Sequence, residues 1–225
     1  MQITIVTIFP EFFHTPLSLS IPAQAAAAGS VSFRVVNLRD YTHDRHRTVD
    51  DYPYGGGAGM VMKPEPFFEA VEALGCVAPV VLLSPRGRTF TQADAQRFAD
   101  GAELTLLCGH YKDVDQRVAD HLATEELSLG DFVLSGGEPA ALAIVDAVVR
   151  LLPGAMSDHE SARTDSFYLP QQGLSAPSYT RPPEYRGHAV PEVLLSGHHE
   201  RIAQWRAQEG ARLTRERADG VGRRD

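Results

Sequence analysis

Short apolar runs alternate with helix-patterned stretches as far as residue 152, and this alternation constrains the fold more than any other feature. Ile3–Ile8 is rich in β-branched residues and stops before Pro10, while Val31–Leu38 sets Val31, Phe33 and Val35 against polar neighbours. Val80–Leu83 and Leu104–Cys108 are continuous apolar runs, the pattern of strands buried on both faces. Between them, Glu65–Leu74 and Gln92–Ala99 carry helical spacing, and Thr91 with Asp94 forms a capping pattern ahead of the second. Pro139–Leu152 is the strongest helix: Leu142, Val145, Val149 and Leu152 share one face. Its proline sits in the first turn, where a missing N–H costs nothing. The class this predicts is α/β with a largely parallel sheet.

The texture changes after Pro153. Residues 154–190 lack apolar periodicity and are rich in Pro, Ser and Gly, as expected of a long linker. From about Gly197 the pattern is helical again, anchored by Ile202, Trp205 and Leu213. The expected organisation is therefore an α/β domain over 1–153, a flexible linker over 154–190 and a small helical domain over 191–225.

Charge argues first against a nucleic-acid partner. The chain has 29 acidic and 21 basic side chains, for a net charge of −8, whereas phosphate neutralisation needs clustered cations. Residues 201–225 differ, however, with seven Arg against four acids, a local balance of +3. Arg supplies 19 of the 21 cations, Lys63 and Lys112 being the two lysines. Arg suits bidentate recognition of phosphate or carboxylate, although a general Arg bias accounts for the count equally well. Cys76 and Cys108 lack metal-ligand spacing and read as free thiols in a reducing cytosol. The opening MQITIVTIFP lacks a basic flank and a cleavage site, so it reads as a strand. No stretch approaches the roughly 20 apolar residues of a membrane span.

Several loops could carry chemistry. Gly55, Gly56, Gly57 and Gly59 permit φ > 0 and close backbone approach, although a plain hinge would use the same residues. The cluster is neither a phosphate loop nor a dinucleotide fingerprint. His43 and His46 have no third metal ligand nearby, so no metal site is expected. Three loops are each read as following an apolar strand: Ser84–Gly87, Gly109–Lys112 and Leu129–Gly137. Ligands of open α/β sheets collect at such strand ends, where glycine turns offer backbone N–H and C=O groups to a flat heterocycle. Ser135 lacks the frame of a nucleophile elbow. Asp165 lies in the polar stretch 161–167, and Arg150 ends an apolar helix, where a cation complements the helix C-terminus.

In these motifs the sequence resembles the bacterial tRNA (guanine-N1)-methyltransferases that modify guanine 37, members of the SPOUT class of trefoil-knotted methyltransferases. The matching residues stand in family order. They are Thr48–Asp51 leading into Pro53–Gly57, Leu83–Pro85 with Gly87, Cys108–Tyr111, Gly130–Glu138, Asp165–Phe167, Tyr179–Pro182, and Leu195–Glu200 with Trp205 and Arg206.

The resemblance implies a trefoil knot near the end of the α/β domain and S-adenosylmethionine as methyl donor. The implied cofactor-binding residues are Leu83, Ser84, Pro85, Gly109, Tyr111, Leu129, Gly130, Asp131, Phe132, Val133, Leu134, Gly136 and Gly137. Asp165 is the implied general base at guanine N1, with Arg150 beside O6. The implied partners are tRNA and a second copy of the chain, with sites shared between subunits; membrane and DNA are not implied. Lys112 and Asp113 depart from the Glu-Gly common in the family, which leaves a role for magnesium open. Another RNA target, or a non-catalytic RNA-binding relative, are the alternatives.

Overall fold

Alternate residues of the central strands belong to different cores. Ile3 and Ile5 of β1 (Gln2–Thr7), Val81 and Leu83 of β5 (Val80–Thr89), and Leu104, Leu106 and Cys108 of β6 (Glu103–Cys108) join one buried cluster. Val6, Val80, Leu82 and Leu107 join another. A strand that buries both faces needs a layer on each side, and the chain supplies both. The computed structural model describes residues 1–156, 164–168 and 173–220.

The sheet runs in the order β2 (Ser32–Asn37), β1, β6 (Glu103–Cys108), β5 (Val80–Thr89), β8 (Glu125–Ser128), and every pairing is parallel. One face carries α1 (Glu11–Leu17), α2 (Ser20–Ala27), α4 (Gln92–Ala99) and α6 (Glu138–Val149), which contribute Phe13, Ala25, Phe98 and Ile144 to its core. The other carries α3 (Pro64–Leu74) and α5 (Gln116–His121), through Phe67, Ala70, Val71 and Val118. Burying a side chain such as Phe13 or Phe67 contributes about 2–3 kcal/mol each. Three two-residue strands, β3 (Asp50–Asp51), β4 (Val61–Met62) and β7 (Asp113–Val114), form a separate small sheet.

Local chemistry sets the helix ends. Thr91 accepts from the Asp94 N–H while Asp94 accepts from the Thr91 N–H, so the expected cap of α4 is a reciprocal capping box. Helix α3 starts on Pro64 and ends at Gly75, whose φ of 61° suits glycine.

One expected loop is not a loop. Ser84–Gly87 lies within β5, which loses register with β8 after Leu83 and regains it at Arg88 against Leu127. Gly87 makes this possible, because a Cβ there would overlap the backbone of Glu126 and Leu127.

Contacts divide the chain into two compact units, Met1–His159 and Glu160–Asp225. In the second, β9 (Glu184–Tyr185) and β10 (His188–Ala189) form a small antiparallel hairpin. Helices α7 (Glu192–Leu195) and α8 (His199–Ala218) follow. Residues 157–163 and 169–172 of the expected linker, and Arg223 and Arg224 of the expected basic tail, lie outside the described residues.

Candidate functional site

Strand β6 ends at Cys108 and delivers Gly109, His110 and Tyr111 to the carboxyl edge of the sheet. Beside it, β5 delivers Ser84 and Pro85. The segment after β8 is hooked at its start, where the Ser128 hydroxyl donates to the Gly130 carbonyl and accepts from the Gly130 N–H. Its far end is tied to the β6 exit: the Gly137 N–H donates to the Gly109 carbonyl at 2.8 Å, and His110 bridges Gly136. A Cβ on Gly137 would sit 2.9 Å from the Cα of Cys108, so this crossing needs glycine.

These segments enclose one cavity of about 120 Å³. Twelve of the thirteen sequence-predicted cofactor residues line it: Leu83, Ser84, Pro85, Gly109, Tyr111, Leu129, Gly130, Phe132, Val133, Leu134, Gly136 and Gly137. Asp131 stands exposed in the same segment, off the cavity wall. Phe132 and Val133 are 54% and 87% exposed, an unusual state for large apolar side chains at a cavity mouth. The walls are mostly apolar, and the turns offer backbone groups, as a flat heterocycle requires.

Sequence reasoning missed part of the lining. His110, Lys112 and Ser135 lie inside the strand-end motifs and also line the cavity, as do Asp113 and Val114 directly after Lys112. Behind the wall, Glu138 is 3% exposed and accepts from the Thr7 hydroxyl at 2.7 Å. Among the described residues, the buried Nδ1 of His110 has no hydrogen-bond partner. Its ring sits edge-on between Phe9 and Tyr111, with centroids 5.0 and 5.2 Å away. Burial pushes the Cys108 thiol up in pKa, and the Glu138 charge adds to that. Cys108 is therefore packing and not a nucleophile.

The two expected catalytic residues belong to different units. Arg150 caps the C-terminus of α6, its N–H donating to the Asp146 carbonyl. Asp165, in the second unit, lines a cavity with Tyr179, Arg181, Arg206, Thr214 and Arg215. The neighbouring Phe167 has φ 65° and lies under the Arg217 guanidinium, 5.1 Å from the ring centroid. Ser161, Ala162 and Arg163 of the same motif lie outside the described residues. His43 meets Glu69 at 2.6 Å, and no group of three His, Cys, Asp or Glu could hold a metal among the described residues. None of the described helices is long and apolar enough to cross a membrane.

A family model described as tRNA (Guanine-1)-methyltransferase TrmD matches residues 1–222. Three curated relatives, each called a tRNA (guanine-N(1)-)-methyltransferase, are similar over nearly the whole chain. The protein from Gloeobacter violaceus is 56% identical over 96% of both chains. That from Dehalococcoides mccartyi is 51% identical over 96% of this chain and 88% of its own. That from Halalkalibacterium halodurans is 50% identical, with 96% and 89% covered. With its strand-end segments closed around one cavity and a family match over almost its full length, the chain belongs to the tRNA (guanine-1)-methyltransferase family.

Proposed function

We propose that the chain is a cytoplasmic, homodimeric enzyme that transfers a methyl group from S-adenosylmethionine to N1 of guanine 37 in tRNA. The observation that carries this reading is the convergence of three separated segments on one cavity, in a chain that aligns with the family over residues 1–222. The residues fit the donor. Leu83, Leu129, Phe132 and Leu134 suit an adenine ring, and the glycine turns suit its polar edges. The tight passage of Gly137 against Cys108 and Gly109, with Gly136 against His110, supports a trefoil knot here.

When bound, the donor supplies an electrophilic methyl carbon on a sulfonium, and its displacement leaves a neutral thioether. Guanine N1 carries a proton and is a poor nucleophile until that proton leaves. Asp165 accepts it, a task that improves when a closed site desolvates the carboxylate. The negative charge that reaches O6 is stabilised by the Arg150 guanidinium. Asp165 of one subunit serves the Arg150 and cavity of the other. The target base leaves its stack to enter the site.

The test is methylation of transcripts carrying guanine or adenine at position 37, by wild-type protein and Asp165→Asn. N1-methylguanine should form only on the first transcript, and the variant should lose about 100-fold or more in kcat. Full activity of Asp165→Asn eliminates it as the base. Mixed dimers of Asp165→Asn and Arg150→Ala chains should regain partial activity, because each contains one intact site.

A further inference from the structure

Lys112 lines the cavity and is exposed, one of only two lysines in the chain. Its backbone N–H is fixed by the Met60 carbonyl at 3.0 Å. Its aliphatic stem runs past Gly59, where a Cβ would come within 3.2 Å of Lys112 Cβ and 3.4 Å of Cδ. The neighbouring Asp113 is the one carboxylate on the cavity wall, and it is already engaged. Arg86 donates to it from both terminal nitrogens, with the longer bond 3.0 Å. Among the described residues the Lys112 ammonium has no ion-pair or hydrogen-bond partner. The cavity wall thus carries one aspartate already paired with Arg86 and one lysine cation that no described residue compensates.

From this we infer that Lys112 anchors the α-carboxylate of S-adenosylmethionine, an inference that rests on the methyltransferase reading. The donor carries two positive groups, the sulfonium and the α-ammonium, and a single anion, the carboxylate. Lys112 repels the sulfonium and the ammonium, so of the three charged groups of the donor only the carboxylate is drawn to it. The neutral adenosine end then falls on the apolar wall formed by Leu83, Leu129, Phe132 and Leu134. Arg86 is a positioning residue: by holding Asp113 it keeps that carboxylate from capturing the adjacent ammonium. Lys112 acts here as a point charge that draws the flexible end of the donor to one side of the cavity.

Calorimetry with S-adenosylmethionine and its decarboxylated analogue tests the assignment, using wild type, Lys112→Met, Lys112→Arg and Arg86→Met. Wild type should prefer the carboxylated ligand by about tenfold. Lys112→Met should lose that preference while binding the decarboxylated ligand at least as well as wild type does. Lys112→Arg should retain most of the preference, and Arg86→Met should weaken only the carboxylated ligand. An unchanged preference in Lys112→Met overturns the inference, as does an equal loss for both ligands, which would signal lost packing. A defect confined to tRNA binding also overturns it, in favour of a phosphate contact. Wild type that binds neither ligand overturns the methyltransferase reading itself, whereas an unaltered Lys112→Met preference sinks only this inference.

Discussion

The Nδ1 atom of His110 lies 3.7 Å from Oε2 of Glu138, too far for a hydrogen bond. Glu138 stands in the first turn of α6, where the helix dipole favours a carboxylate. His110 reaches the pair from the β6 exit. His110, in the cavity wall, meets Glu138 behind it because Gly136 has no side chain: a Cβ there would overlap both His110 Nδ1 and Glu138 Oε2.

Gly136→Ala should therefore disturb the wall as well as the pair. Overpacking at such a site costs about 1–3 kcal/mol. Denaturant unfolding should report a loss of that size, and calorimetry a donor affinity lowered about tenfold or more. Wild-type affinity and stability in the variant would mean that the wall yields freely at this point.

A second prediction concerns acid stability. Asp94 accepts from Arg88 at 2.6 and 2.8 Å and from Arg97 at 3.2 Å, and both arginines also bond Glu125, so the network ties α4 to β5 and β8. The Arg88 guanidinium holds the Asp94 carboxyl well below the usual carboxylate range, with help from Thr91 and Arg97 against the opposing effect of burial. A carboxyl depressed in the folded state contributes stability that is full above its unfolded value of about 3.9. That stability fades as pH falls below it. Arg88 is half exposed, so screening limits the contribution. Asp94→Asn should lower unfolding free energy by about 2 kcal/mol at pH 7. The gap from wild type should narrow below about pH 4, and a gap independent of pH would show that charge is not its source.

Much of this fold is legible in the chain wherever burial imposes a period. Strands β1, β2 and β6 and helices α3, α4 and α6 stand within a few residues of their patterns, because each packs a regular apolar face against a core. Strand β8 leaves no such trace. Its sequence is Glu125-Glu126-Leu127-Ser128, and it is a strand because β5 offers it an edge. Helices α1 and α2 are short and carry Pro16 and Pro22, so local signals argue against elements that tertiary packing retains. The cavity followed the same divide. Glycines and strand ends advertise backbone geometry, whereas His110 and Lys112 matter through neighbours more than 40 positions away in sequence, Met62 and Gly59.

The last prediction separates arginines that sequence counting treats alike. On α8, Arg212 donates to Glu209 from Nε and one terminal nitrogen, at 3.0 and 2.7 Å, and to Glu216 from the other at 2.6 Å. Its guanidinium is already spent on its own helix. Arg206, on the same helix, is exposed and belongs to no ion pair among the described residues. Counterion release scales with the cations that reach phosphate, so only an unengaged arginine should alter the salt dependence of tRNA binding. Arg206→Ala should weaken binding and reduce the magnitude of the log–log salt slope by about one. Arg212→Ala should leave the slope almost unchanged. Filter binding between about 50 and 200 mM salt resolves the difference. Equal slope changes in the two variants would mean that tRNA pulls Arg212 away from Glu209 and Glu216, and that these pairs do not decide which arginines meet the RNA.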